Sequence, residues 1–122
     1  MTVKKVLLID DEPAIRGVVS TYFRVYGLNV LQADNGEMGI RLFSQQMDEI
    51  GMVVLDWLLP DMVGEEIIDS LRQINEDIPI LIASGLDRDE ISPVFERNNN
   101  LEFVPKPFNL AGLKQHVHRY LA

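Results

Sequence analysis

No cysteine occurs among the 122 residues. That removes disulfides, thiolate nucleophiles and cysteine-held zinc from consideration. Basic side chains are also scarce, 11 Lys and Arg against 19 Asp and Glu, for a formal net charge of −8. Such a balance does not suit a surface that follows a phosphate backbone, so direct nucleic-acid binding is not expected. Long apolar runs are absent. The run Val6-Leu7-Leu8-Ile9 follows Lys4-Lys5, as in a signal peptide, but it is too short and ends in Asp10-Asp11-Glu12. No stretch is long enough to cross a membrane as a helix. The expected setting is cytoplasmic.

What is present is an ordinary globular composition at the size of one domain, 47% apolar and 25% charged. Met52 to Leu55 is apolar without a break and meets Asp56, and Pro60 forbids a central strand beyond it. A short apolar run with two β-branched residues reads as a strand buried on both faces, the kind found in helix-covered parallel sheets. Val6–Ile9 and Ile78–Ala83 read the same way. Asn29–Ala33, with Gln32, and Leu101–Val104, with Glu102, carry polar residues and read as edges. Between them lie helical spacings. The first begins at Pro13, runs through Val19, Phe23 and Tyr26, with Tyr22 and Tyr26 on its buried face, and stops at Gly27. The second starts at Asn35-Gly36, and the third spans Gly64 to Asn75. A short fourth helix is expected to start late, capped by Ser92 with Pro93 at its first position, before the polar turn Asn98-Asn99-Asn100. The last follows Leu110, Leu113, Val117, Tyr120 and Leu121.

Five strands alternating with five helices predict a parallel sheet covered on both faces and joined by right-handed crossovers. Three central and two edge strands predict a flavodoxin-like (βα)5 domain over residues 1–122, in strand order 2-1-3-4-5. Ligands of such sheets bind at the carboxyl ends of the strands. The residues found there are Asp10 and Asp11, Asp56, Ser84 and Lys106. Three converging carboxylates repel one another unless a cation sits among them, and oxygen ligands with room for water suit Mg²⁺. A free carboxylate beside a metal, a lysine and a hydroxyl suits a phosphoryl group on that carboxylate. Taken singly, Asp10 and Asp11 would be helix caps, Ser84 a turn residue and Lys106 a solvated surface lysine. Their convergence on one sheet edge favours the joint reading. His116 and His118, two apart on the last helix, do not share a face and read as partly exposed, not as metal ligands.

Asp10-Asp11-Glu12-Pro13, Asp56-Trp57-Leu58-Leu59-Pro60 with Met62 and Gly64, Ala83-Ser84-Gly85, and Lys106-Pro107-Phe108 together resemble the motifs of the response-regulator receiver domain of two-component signalling. The resemblance spans the whole chain. It implies that Asp56 accepts a phosphoryl group from a histidine kinase or a histidine phosphotransfer protein. It implies Mg²⁺, or Mn²⁺ in its place, on Asp11, Asp56 and the backbone carbonyl of Leu58, with Asp10 acting largely through water. Lys106 and Ser84 would contact phosphoryl oxygens, Phe103 would be the switch aromatic, and Gly85 would leave access to Asp56. The side chains of Leu58 and Leu86 would border the path of attacking water. Phe103 stands where tyrosine is common, and Val63 where an acid is frequent. A phosphohydrolase with an aspartate nucleophile typically carries a second acid two residues later. Leu58 stands there, so separate substrate turnover is not expected. A flavin module would need an anion-binding loop after the first strand, which Asp10-Asp11-Glu12 would oppose. No motif names the kinase, the downstream target or the oligomeric state, and the chain reads equally as a stand-alone receiver or a piece of a longer protein.

Overall fold

The computed structural model describes residues 4–107 and 109–121. Five parallel strands alternate with five helices: β1 (Lys5–Ile9), α1 (Pro13–Val25), β2 (Val30–Ala33), α2 (Gly36–Gln46), β3 (Ile50–Asp56), α3 (Gly64–Ile74), β4 (Ile80–Ser84), α4 (Ser92–Arg97), β5 (Leu101–Pro105) and α5 (Leu110–Leu121). The sheet order is β2-β1-β3-β4-β5, as expected, and every pairing is parallel.

Strand alternation sorts the core into two layers. Leu7, Ile9, Val53, Leu55, Ile80 and Ile82 face α2, α3 and α4, where Phe43, Ile67, Leu71 and Val94 are buried. Val6, Leu8, Met52, Val54 and Leu81 face α1 and α5, meeting Val19, Phe23, Leu113 and Val117. β1, β3 and β4 are buried almost throughout. β2 and β5, at the edges, are only half-buried.

β3 starts two residues before the predicted Met52. Ile50 pairs with Lys5, and the intervening Gly51 fits because a β-carbon there would overlap Leu121 and Lys4. β4 begins after Pro79 and takes in Ser84, which pairs with Pro105. Ile78 is buried but lies outside the strand, its carbonyl held by Arg72 Nη1 at 2.6 Å. α1 ends at Gly27 by a Schellman pattern. Leu28 N donates to Phe23 O and Gly27 N to Arg24 O, both at 3.0 Å, with Gly27 at φ 81°.

Three local expectations are corrected. Tyr22 and Tyr26 do pair, with ring centroids 5.1 Å apart, but the buried face of α1 is Val19, Ser20 and Phe23. Tyr26 is exposed, and Lys114 Nζ sits 3.6 Å from its ring centre. Ser92 does not cap α4. A 3-10 turn over Arg88–Ile91 leads straight into the helix, and the Ser92 hydroxyl donates back to Asp89 O. Neither Asp10 nor Asp11 caps α1, whose N-cap is Glu12 with no side-chain cap bond.

Candidate functional site

The parallel register brings the ends of β1, β3, β4 and β5 to one edge. Asp10 follows β1, Asp56 ends β3, Ser84 ends β4, and Lys106 follows β5. Asp10, Asp56 and Ser84 are buried. The main chain around them is locked into the sheet: Asp10 N donates to Ala33 O, Trp57 N to Ala83 O, and Lys106 N to Ser84 O. The side chains therefore leave a rigid frame, which is what a preorganised polar site requires.

Lys106 Nζ is the cation at the centre. It lies 3.0 Å from Asp10 Oδ2, 3.3 Å from Asp56 Oδ2 and 3.8 Å from Glu12 Oε1. Asp10 Oδ1 accepts the Glu12 amide at 2.9 Å, and Asp56 Oδ1 accepts the Leu58 amide at 3.3 Å. Asp10 is therefore engaged directly by the lysine and by the Glu12 amide. Burial pushes the Asp56 carboxyl up to about 6, the positive charge of Lys106 opposes that rise, and Asp10 adds to it. Burial also works against the Lys106 ammonium, but the hydrogen bond to Asp10 and the charges of Asp56 and Asp10 outweigh it, and its pKa is raised.

Asp11 and Glu12 are exposed beside this pair. One carboxylate oxygen from each of Asp10, Asp11, Glu12 and Asp56 lies within 4.8 Å of the others. Four carboxylates face one lysine, so an excess of negative charge remains. A donor set made only of carboxylate oxygens, partly open to water, fits a hard divalent cation.

Ser84 Oγ accepts the Leu86 amide at 2.9 Å. The turn role is thus present on this hydroxyl. Gly85 is exposed, and a β-carbon there would meet nothing within 4 Å. Packing therefore does not account for this glycine. Leu58 is exposed and Leu86 half-buried. Phe103 lies opposite Ile82 in the register, half-buried against the α3–α4 layer. Trp57 lies over Gly64, where its ring takes the space of a β-carbon. Phe108 falls outside the described residues. His116 and His118 are half-buried on α5, with His116 Nδ1 3.5 Å from Glu102 Oε2.

Sequence reasoning missed three supporting groups. Glu12 reaches Lys106, which its place next to Asp11 hinted at. Arg16, one turn into α1, donates to Asp10 O at 2.7 Å. Asp61 accepts the amides of Gly36 at 2.9 Å and Glu37 at 3.0 Å, joining the loop after β3 to the start of α2. No local pattern signals that last contact, because its partners are 24 and 25 residues away.

Residues 6–118 match the family model of the response regulator receiver domain. The chain is 33% identical over 105 residues to the probable transcriptional regulatory protein TcrX of Mycobacterium tuberculosis, covering 86% of this chain and 44% of TcrX. It is 31% identical over 125 residues to the probable transcriptional regulator ycf27 of Guillardia theta, covering 98% of this chain and 46% of the relative. The chain thus spans less than half the length of these curated relatives. A crystal structure of a response regulator receiver domain protein from Clostridium thermocellum matches with a TM-score of 0.89 at 23% identity, covering 98% of this chain and 94% of that one. At that identity the likeness speaks to the fold alone.

Proposed function

The chain belongs to the response regulator receiver domain family, and from that premise we propose that Asp56 is its phosphoacceptor and residues 1–122 its switching unit. The observation that carries the reading is the contact of Lys106 with both Asp56 and Asp10, beside the open carboxylates of Asp11 and Glu12. The phosphoryl donor is a histidine of a kinase or phosphotransfer protein. An Asp56 oxygen attacks phosphorus, the P–N bond breaks, and its electron pair returns to the imidazole. With its carboxyl at about 6, Asp56 is ionised and nucleophilic at neutral pH.

Lys106 exchanges its Asp56 contact for a phosphoryl oxygen while keeping Asp10. The Ser84 oxygen accepts the Leu86 amide, which leaves its O–H free to donate to another phosphoryl oxygen. That contact draws the β4–α4 segment inward, and Phe103, half-buried beside it, changes its packing with it. Mg²⁺, or Mn²⁺, held by Asp11, Asp56 and the Leu58 carbonyl, with Asp10 through water, would neutralise charge on the transferring group. Gly85 leaves room for the donor. The domain assists its own phosphorylation and dephosphorylation and turns over no separate substrate. Its output is a changed surface read by a partner or an attached domain.

The test is incubation with acetyl phosphate and Mg²⁺, read by intact mass. One phosphoryl group should be added to the wild type and none to Asp56→Asn. Undiminished labelling of the variant would sink the assignment.

A further inference from the structure

A groove of about 640 Å³ opens between the start of α3 and the segment leading into α4. Its floor is apolar, formed by Trp57, Leu58, Leu86 and Pro93. Leu58 and Val63 are 63% and 61% exposed on the same lining, so the apolar surface there is a contiguous patch, the kind that marks an interaction site. Every charged side chain on the lining is acidic: Glu65, Glu66, Asp69 and Glu90. Glu65 is met by Arg97 at 2.8 Å. Glu66 and Glu90 have no ion-pair partner among the described residues, and Asp69 has only the longer-range attraction of Arg97.

An apolar floor within a rim of one sign selects its occupant twice. The floor needs a hydrophobic side chain to displace water. The rim repels nucleic acid and anionic lipid, and attracts cationic groups. We infer that this groove docks a segment of a partner protein that carries a hydrophobic residue flanked by lysine or arginine. The hydrophobic residue sits on Leu58 and Leu86, and the basic groups meet Glu66, Asp69 and Glu90.

The two floor leucines are tied to the site by their own amides, Leu58 to Asp56 Oδ1 and Leu86 to Ser84 Oγ. A change of bonding at Asp56 and Ser84 therefore reshapes the floor. In this respect the inference rests on the proposed role of Asp56: docking strength follows phosphorylation.

The probe is a labelled synthetic amphipathic peptide with leucines at helical spacing and lysines elsewhere, beside a counterpart with glutamates for the lysines. Binding is followed by anisotropy, and the contacted residues by amide NMR shifts. The rim variant Glu66→Gln/Glu90→Gln is compared with Asp48→Asn/Glu76→Gln, which removes the same charge from the opposite edge of the sheet. Two exposed ion pairs correspond to a loss of about tenfold in affinity in the rim variant. The control should lose far less, with shifts centred on Trp57, Leu58 and Leu86. Equal losses in both variants, shifts centred elsewhere, or equal binding of the acidic peptide would overturn the groove. Beryllofluoride, a phosphoryl mimic, should change the wild-type affinity and leave that of Asp56→Asn unaltered. Rim-dependent docking that ignores beryllofluoride would overturn the coupling alone. Rim-dependent docking in a protein whose Asp56 takes no label would overturn the phosphoacceptor reading and leave the groove standing.

Discussion

Burial raises the Asp56 carboxyl to about 6, with Lys106 opposing and Asp10 assisting. Folding therefore favours the protonated form. Stability from this group is fully present below about pH 4, the unfolded value, and is lost as pH rises through about 6. Above that the wild type carries a constant penalty, at most about 3 kcal/mol and less where water screens the partly open site. Asp56→Asn should remove it. In chelator, denaturant unfolding should find the variant more stable than wild type at pH 7.5, with the difference shrinking toward pH 4.5. A difference independent of pH would show that the carboxylate is not under strain. The leucines at the mouth of the site lead to a second expectation. Phosphoaspartate is lost when water attacks in line, and neither Leu58 nor Leu86 can orient water by hydrogen bonding. Leu58→Asn and Leu86→Glu, singly and together, should shorten the phosphoryl lifetime in excess chelator. Equal or longer lifetimes in all three variants would show that these side chains do not control water.

Among the elements, α2 depends on a residue outside itself. Asn35 caps it by accepting the Met38 amide at 2.8 Å, and Asp61 accepts the two amides before that. Those amide bonds hold the Asp61 carboxyl below its usual range. Asp61→Ala should cost about 1 kcal/mol, as for a lost N-cap, measured by urea unfolding at neutral pH. The depressed carboxyl contributes stability above the unfolded value and loses it as pH falls, so the cost should fade in acid. An unchanged midpoint at neutral pH would mean that Asn35 alone secures the helix. The asparagine turn shows the limit of reading elements locally. Asn98 Nδ2 donates to Val94 O at the end of α4, Asn99 O accepts from Arg72, and Asn100, at φ 56°, donates to Asp77 O. The polar run announced a turn. The Asn98 contact is local to α4, whereas those of Asn99 and Asn100 depended on where α3 ended.

For the whole molecule, 19 acids stand against 11 bases, and part of that excess lies where four carboxylates meet one lysine. A divalent cation bound there should stabilise the fold by mass action. At tenfold excess over its dissociation constant the gain is about 1.4 kcal/mol, which raises the melting temperature by several degrees. Thermal unfolding in MgCl₂ and in NaCl of matched ionic strength should separate this from screening. Mg²⁺ should give the larger rise, and Asp11→Asn should remove the excess. Equal rises in both salts would mean that only general repulsion is being relieved.

The sequence by itself determined the layer architecture and the strand order, because burial on two faces or one is written directly into apolar runs such as Val53-Val54-Leu55 and broken ones such as Leu31-Gln32-Ala33. It also determined which residues reach the carboxyl edge, since in a parallel sheet every strand ends on the same side. Tertiary structure alone decided how those residues are bonded. Lys106 is 96 positions from Asp10, and only the pairing of β5 with β4, of β4 with β3 and of β3 with β1 brings its ammonium within 3.0 Å. The Asp61 tether and the acid-rimmed groove are likewise sums of distant contributions. Periodicity reports which face of an element is buried. It carries no information on what the facing element presents, and hydrogen bonds and charge pairs depend on that neighbour.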